Sequence, residues 1–395
     1  HTMKISIGHE RSKCSARGKK SGLRRPGFAL TLVCMTLADF ASAKPAVTVE
    51  RILPETVYVE NRGSTQRLNF DIELRNHTGE PIQLNYLEMR AFAPDGLFLT
   101  RAQIGTNGLP GPIEALPERT IPPLHTLYLF NPFPDLPTES PIGRVLLKLF
   151  HTAGETSLEI EPSLPPRPYL ERSPLKEPAY VFSGSDLNSH HRRVALNSEP
   201  ALAIGLDRIT QRYAIDLTKV DAKTGGLAKL PLQANEDWLA YGMTVVAPVD
   251  GRIVRLRDDM PDNATNDSGR VTKPDSYEAF GDDASLGNYI VMDIGGAYLL
   301  MSHFKHDTLS VEEGERVTAG QVLGTLGFSG DTVYPHLHVQ LQDTPDPLSA
   351  HPLPILFECI RIGTGPLIRD KVESAVDSGL FMQTCSGERR GPETP

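Results

Sequence analysis

The sequence predicts an all-β protein of two β-rich domains in tandem, the first of them a sandwich. Three observations carry this: apolar and polar residues alternate with period two over short runs, Gly and Pro punctuate those runs, and a Pro-rich stretch divides an earlier set from a later one. The chain has 395 residues, 39% hydrophobic and 23% charged, ordinary globular usage at a length where two domains are expected. No apolar run reaches the roughly 20 residues that a membrane-spanning helix needs.

The first 43 residues read as a leader. Eight Lys and Arg, the last of them Arg25, precede an apolar run from Gly27 to Ala38, and Ala41-Ser42-Ala43 follows as a small-x-small site. These are the three parts of a secretory signal peptide, with cleavage expected after Ala43 and a periplasmic or extracellular product. The leader holds eight of the 40 basic and two of the 49 acidic residues. What remains is acidic, about −15, which disfavours nucleic acid and other polyanions as partners. Only Cys359 and Cys385 lie beyond the leader; in an oxidising compartment they could close one loop, and so few thiols disfavour a Cys-based metal site.

Residues 44–160 carry strand signals. Leu68 to Leu74 alternates strictly, the period of a half-buried strand, and a His77–Pro81 turn follows. Further strands are expected at 56–60, 82–92, 126–130 and 144–150. About six short strands over this length predict an immunoglobulin-like sandwich, with spacing, docking or shielding as its role, because His77, His125 and His151 are scattered. Residues 161–179 read as a stiff Pro-rich linker. From 180 to 361 strands and tight turns return, including a hairpin expected around Gly295-Gly296, with 258–283 read as an acidic loop and 362–395 as a C-terminal tail.

The strongest chemical signal is Pro335-His336-Leu337-His338-Val339-Gln340-Leu341. On a strand, i and i+2 share a face, so His336 and His338 stand side by side while Leu337 and Val339 enter the core. Two such imidazoles suit a zinc ion, or one ligand and one proton carrier, or simply a solvated face. In Tyr213-Ala214-Ile215-Asp216-Leu217, Asp216 is set opposite an apolar face, where a carboxylate requires a cation, a hydrogen-bond network or a metal. His303 ends a strand ahead of a charged loop. Ser189-His190-His191-Arg192-Arg193 forms a polar loop, and adjacent histidines on an extended chain face opposite ways, so one at most is expected at any site.

From Ser189 to about Cys359 these segments resemble the LytM/lysostaphin-type zinc endopeptidases of metallopeptidase family 23. The resemblance lies in VVAPVDGRIV, GNYIVMDIGGAYLLMSHF and VEEGERVTAGQVLGTLGFSGDTVYPHLHVQLQD, in the family's order and spacing. It implies an antiparallel β-sandwich with a groove, one Zn²⁺ per chain, and hydrolysis of peptides in peptidoglycan cross-links or stems. By motif, His338 matches a zinc ligand, Asp216 the zinc carboxylate, and His336 and His303 the catalytic histidines. One position departs: the family's first ligand is a His four residues before the Asp, and here that residue is Arg212, which cannot coordinate metal. His191 or His190 is expected to restore the third ligand, with His191 favoured. The alternative is a catalytically degenerate domain that activates a cell-wall amidase without metal.

Overall fold

The computed structural model describes residues 44–105, 119–167, 169–203, 205–365 and 367–385. The expected leader and its cleavage site therefore lie outside the described residues.

The first eleven strands are β1 (Val47–Leu53), β2 (Val59–Asn61), β3 (Thr65–Leu68), β4 (Asp71–Asn76), β5 (Ile82–Phe92), β6 (Phe98–Gly105), β7 (Thr120–Ile121), β8 (Thr126–Phe130), β9 (Leu136–Pro137), β10 (Arg144–His151) and β11 (Gly154–Ile160). They form sheets of order β1-β4-β8, β11-β10-β5-β6 with β7 on β5, and β2-β3-β9. Ile72, Leu74, Leu84, Leu87, Val145 and Leu147 belong to their common apolar core. Every pairing is antiparallel.

The strict alternation at 68–74 does not mark a strand with one wet face. The chain breaks at Asn69-Phe70, between β3 and β4, and Asn69, Asp71 and Glu73 are all buried. Their partners come from elsewhere. Asp71 accepts from Arg192, Arg212 and the Tyr128 hydroxyl, Asn69 Oδ1 accepts from Arg212 at 3.1 Å, and Glu73 pairs with Arg51 at 2.6 Å. Period two sorts residues onto faces without saying what each face meets, and here the polar face meets protein. Removing the Asp71 carboxylate would leave two buried guanidiniums uncompensated, a loss of about 3–5 kcal/mol.

The second half contributes β12 (Ala179–Ser183), α1 (Glu199–Ala203), β13 (Ile215–Thr218), β14 (Thr244–Val246), β15 (Gly251–Arg257), β16 (Ala264–Thr265), β17 (Val271–Thr272), β18 (Asn288–Asp293), β19 (Tyr298–Phe304), β20 (Arg316–Val317), β21 (Val322–Thr325), β22 (Leu337–Gln342), β23 (Pro352–Leu353), β24 (Phe357–Thr364), β25 (Leu367–Ser374) and β26 (Phe381–Thr384). One sheet runs β20-β15-β18-β19-β22-β13-β12-β26-β24-β25, with β23 on β22. β14 pairs with β21, and β16 with β17. The Gly295-Gly296 turn joins β18 to β19, both glycines at positive φ, as a tight hairpin requires.

Three segments differ from their sequence reading. Residues 161–179 are not a free connector: Leu170 and Leu175 lie in the larger apolar core, and Ser163 bridges to Tyr58. The segment read as a tail holds the end of β24 together with β25 and β26, with Ile362 opposite Met382 and Tyr180 opposite Phe381. Ile360 pairs with Thr384, which brings position 359 level with Cys385, and Cys385 is disulfide-bonded. Residues 258–283 are also packed rather than bare loop: Met260 and Asn263 are buried, and the Asp258 carboxylate accepts from the Thr308 and Leu309 amides.

Candidate metal centre

Ladder register brings the first two site residues together. β13 pairs with β22, and Asp216 stands directly opposite His338. On β22, Leu337, Val339 and Leu341 enter the core, which turns His338, Gln340 and Gln342 to the other face. On β13, Ile215 and Leu217 anchor the same core and leave Asp216 beside the imidazoles, fully buried.

Five histidines are gathered here. His338 Nδ1 is 3.1 Å from Asp216 Oδ1. His191 Nε2 is 3.1 and 3.0 Å from the two Asp216 oxygens. His336 Nε2 is 3.5 Å from Oδ1, and His190 Nε2 is 3.8 Å from Oδ2. The His303 ring centroid is 4.7 Å from that of His336 and 6.2 Å from that of His338. The ligand atoms of His190, His191 and Asp216 all lie within 4.8 Å of one another. The expectation that one of the two adjacent histidines must face away is therefore corrected. Residues 190–192 form a turn, not an extended strand, and the two rings sit 3.9 Å apart. They differ in access, since the His190 side chain is 65% exposed and that of His191 6%.

Partners on the far side of each ring assign its tautomer. His303 Nδ1–H donates to the Ser329 carbonyl at 2.8 Å, His336 Nδ1–H to the Tyr334 carbonyl at 3.0 Å, and His191 Nδ1–H to Gln211 Oε1 at 2.9 Å. Each of these turns Nε2 inward. His338 is reversed: Nε2–H donates to Gln340 Oε1 at 3.3 Å, leaving Nδ1 as the inward acceptor. Gln340 in turn donates to Gln342, and Gln342 to the Thr344 carbonyl. Gln211 and Gln340 are not among the residues expected from sequence. Gln340 is findable, because His338 and Gln340 continue the i, i+2 face.

His303 holds φ at +71°, a left-handed conformation that is rare for a residue with a Cβ and is kept only where surrounding structure enforces it. Two glycines permit that enforcement. A Cβ on Gly327 would lie 2.2 Å from Lys305 backbone, and one on Gly287 2.5 Å from the Ser329 carbonyl, so the chain closes tightly on either side of the His303 ring.

Acceptor nitrogens converging on a carboxylate repel unless a proton or a cation lies between them. Among the described residues the ionic partners of Asp216 are all imidazoles. His191 and His336 hold the Asp216 carboxyl well below the usual carboxylate range, outweighing burial. Asp216 and Gln211 raise His191 against the opposing effect of burial. Two imidazole nitrogens and a carboxylate, buried and already oriented by outer hydrogen bonds, are a donor set that suits zinc.

Burial, then the neighbouring histidines, pushes His303 well below its ordinary value. Burial also lowers His336, and burial with the His191 charge pushes His190 down to about 4. Below about pH 6.5 the unfolded chain takes up protons that these folded rings refuse, so each contributes stability that is lost as pH falls. Asp216, also depressed, keeps its contribution between pH 7 and pH 5 and loses it only below the ordinary carboxylate range. The raised His191 acts oppositely, its contribution being lost as pH rises through its folded value. With three depressed imidazoles against one raised, the metal-free chain should have a lower unfolding midpoint at pH 5 than at pH 7; a midpoint rising toward acid would contradict these environments.

Residues 237–350 match the sequence model of Peptidase family M23. The match takes in His303, His336 and His338 and stops short of His191, Arg212 and Asp216. No curated protein matches the chain. Among solved structures, the catalytic domain of lysostaphin from Staphylococcus simulans is similar at 16% identity, over 45% of this chain and 88% of that one, with a TM-score of 0.23. A putative peptidase M23 from Pseudomonas aeruginosa is similar at 14% identity, over 67% and 89%, with a TM-score of 0.24. A zinc-containing peptidase from Vibrio cholerae is similar at 10% identity, over 52% and 80%, with a TM-score of 0.19. The likeness to Peptidase family M23 thus spans residues 237–350 and includes the β19 and β22 histidines.

Proposed function

We propose that the chain is an exported zinc-dependent endopeptidase that hydrolyses peptide bonds in the cross-links or stems of bacterial peptidoglycan. One observation carries the reading: three nearly buried imidazoles, each oriented by an outer hydrogen bond, meet a buried carboxylate whose ionic partners, among the described residues, include no Lys or Arg, and a fourth buried imidazole, His303, lies against two of them. The peptidoglycan substrate follows from the resemblance of the segments between Ser189 and Cys359.

His191, Asp216 and His338 would hold the metal. Zinc bound there supplies Lewis acidity, polarising a peptide carbonyl and acidifying water. His303 and His336 keep their Nδ1 protons on backbone carbonyls, so each offers Nε2 to accept a proton from the attacking water or to return one to the leaving amine. Their depressed basicity keeps both rings neutral near pH 7, as a proton acceptor must be.

The test is the zinc content of purified wild type, His190→Ala and His191→Ala after mild dialysis, followed by digestion of purified peptidoglycan with mass analysis of the released fragments. One equivalent is expected in wild type and His190→Ala, with loss in His191→Ala. Loss in His190→Ala alone would reassign the ligand. A folded wild type without zinc would favour the metal-free amidase activator instead.

A further inference from the structure

We propose that the N-terminal sandwich completes the metal site through Asp71, which acts as a positioning residue for His191. The inference rests on the reading of His191 as a zinc ligand and adds a residue of the N-terminal sheets to that site.

The three ligand candidates are held in different ways. Asp216 and His338 are fixed by the ladder, facing each other across β13 and β22. His191 has no ladder: among the described residues, no strand occurs between Ser183 and Ile215. Its place depends on turn and side-chain contacts: Ser189 meets Ser183 at 2.7 Å and Gly184 donates to Ser378 within the second half, while further side chains reach the loop from the N-terminal sheets. Arg192, the next residue, places Nη1 on Asp71 Oδ1 and Nη2 on the Phe70 carbonyl at 2.9 Å. Arg212 places Nη2 on Asp71 Oδ2 and Nη1 on Asn69 Oδ1 at 3.1 Å.

The two arginines are chain neighbours of a second pair that also touches. Arg192 follows His191, Arg212 follows Gln211, and Gln211 Oε1 accepts the His191 Nδ1 proton at 2.9 Å. One carboxylate therefore ties together two turns, and the residues beside its partners set the tautomer and the aim of the ligand ring. The start of the same loop is docked as well, with the Ser185 hydroxyl donating to Glu60 at 2.9 Å and accepting from Arg62 at 2.8 Å. Asp71, Arg192 and Arg212 are all nearly inaccessible, so water cannot replace the carboxylate. In the resembled family a ligand stands where Arg212 stands; here that position has become the anchor for a ligand supplied from the preceding loop.

The test compares wild type, Asp71→Asn and Arg192→Met as full chains. Zinc Kd is measured by chelator competition at a temperature where circular dichroism shows each variant folded. The His191 ring nitrogens are followed by nitrogen-15 NMR in the metal-free chains under mildly alkaline conditions. Both variants should bind zinc about 10- to 100-fold more weakly, and the Nδ1-protonated tautomer of His191 should no longer dominate. Arg192→Met leaves Asp71 neutralised by Arg212, so it decides the matter if Asp71→Asn does not fold. A lowered unfolding midpoint with unchanged zinc Kd would mean a structural salt bridge only and overturn the proposal. Absence of zinc from the wild type would overturn the zinc reading itself; the tautomer then reports alone, and the same tautomer in variant and wild type would overturn the positioning role.

Discussion

His338→Ala should lose its zinc on dialysis and, with it, all measurable cleavage of peptidoglycan. The side chain is nearly buried and its Nδ1 is 3.1 Å from Asp216 Oδ1. Without it, His191 and Asp216 remain as the inner pair, fewer than the three protein ligands of a catalytic zinc site. Activity should fall by well over about 100-fold, since even groups one shell outside a metal cost 10- to 100-fold when removed. The fold should persist, because Leu337 and Val339 keep β22 in the core. The cost of leaving the Gln340 carbonyl oxygen without its donor is about 1–3 kcal/mol. Zinc analysis and a digestion assay on the same preparation check both halves of the expectation. A variant that kept metal and full activity would remove this cluster from consideration.

His303→Asn should separate metal from turnover. Asn is chosen because it tolerates the left-handed backbone that His303 adopts at φ +71°. His303 spends Nδ1 on the Ser329 carbonyl and reaches the centre through its neighbours' rings rather than through Asp216. Zinc content should stay near one equivalent while kcat drops by about 10²- to 10⁴-fold, the usual contribution of a positioned acid or base. Loss of zinc in this variant would show that the ring is a ligand and that its role has been exchanged with that of another histidine.

The histidines on β19 and β22 are legible in the sequence because their signal is local. His336 and His338 share a face by strand periodicity, and His303 closes a strand whose apolar residues are visible in sequence. Asp216 is legible for the same reason, as a charge on a strand otherwise made of core residues. The His190-His191 pair is not, because period two holds only in extended chain, and the backbone there turns. The polar residues of 68–74 read as a wet face because alternation cannot distinguish water from guanidiniums supplied by distant parts of the chain. Composition makes 161–179 a linker and the chain beyond 361 a tail, yet Leu170, Leu175 and Met382 are in the core. Composition describes a segment's own stiffness and polarity, not the apolar surface waiting elsewhere to receive it.

By itself the sequence determined the β class, the strands' two faces and the residue types able to take a metal, all properties of neighbours along the chain. Tertiary structure decided which of them meet. Asp216 and His338 are 122 positions apart and meet through ladder register; Arg212 and Asp71, 141 apart, meet where the turn before β13 packs on the start of β4. Such contacts depend on how strands and domains pair across long separations, where burial of a whole face outweighs any local preference, and no window of sequence contains both partners.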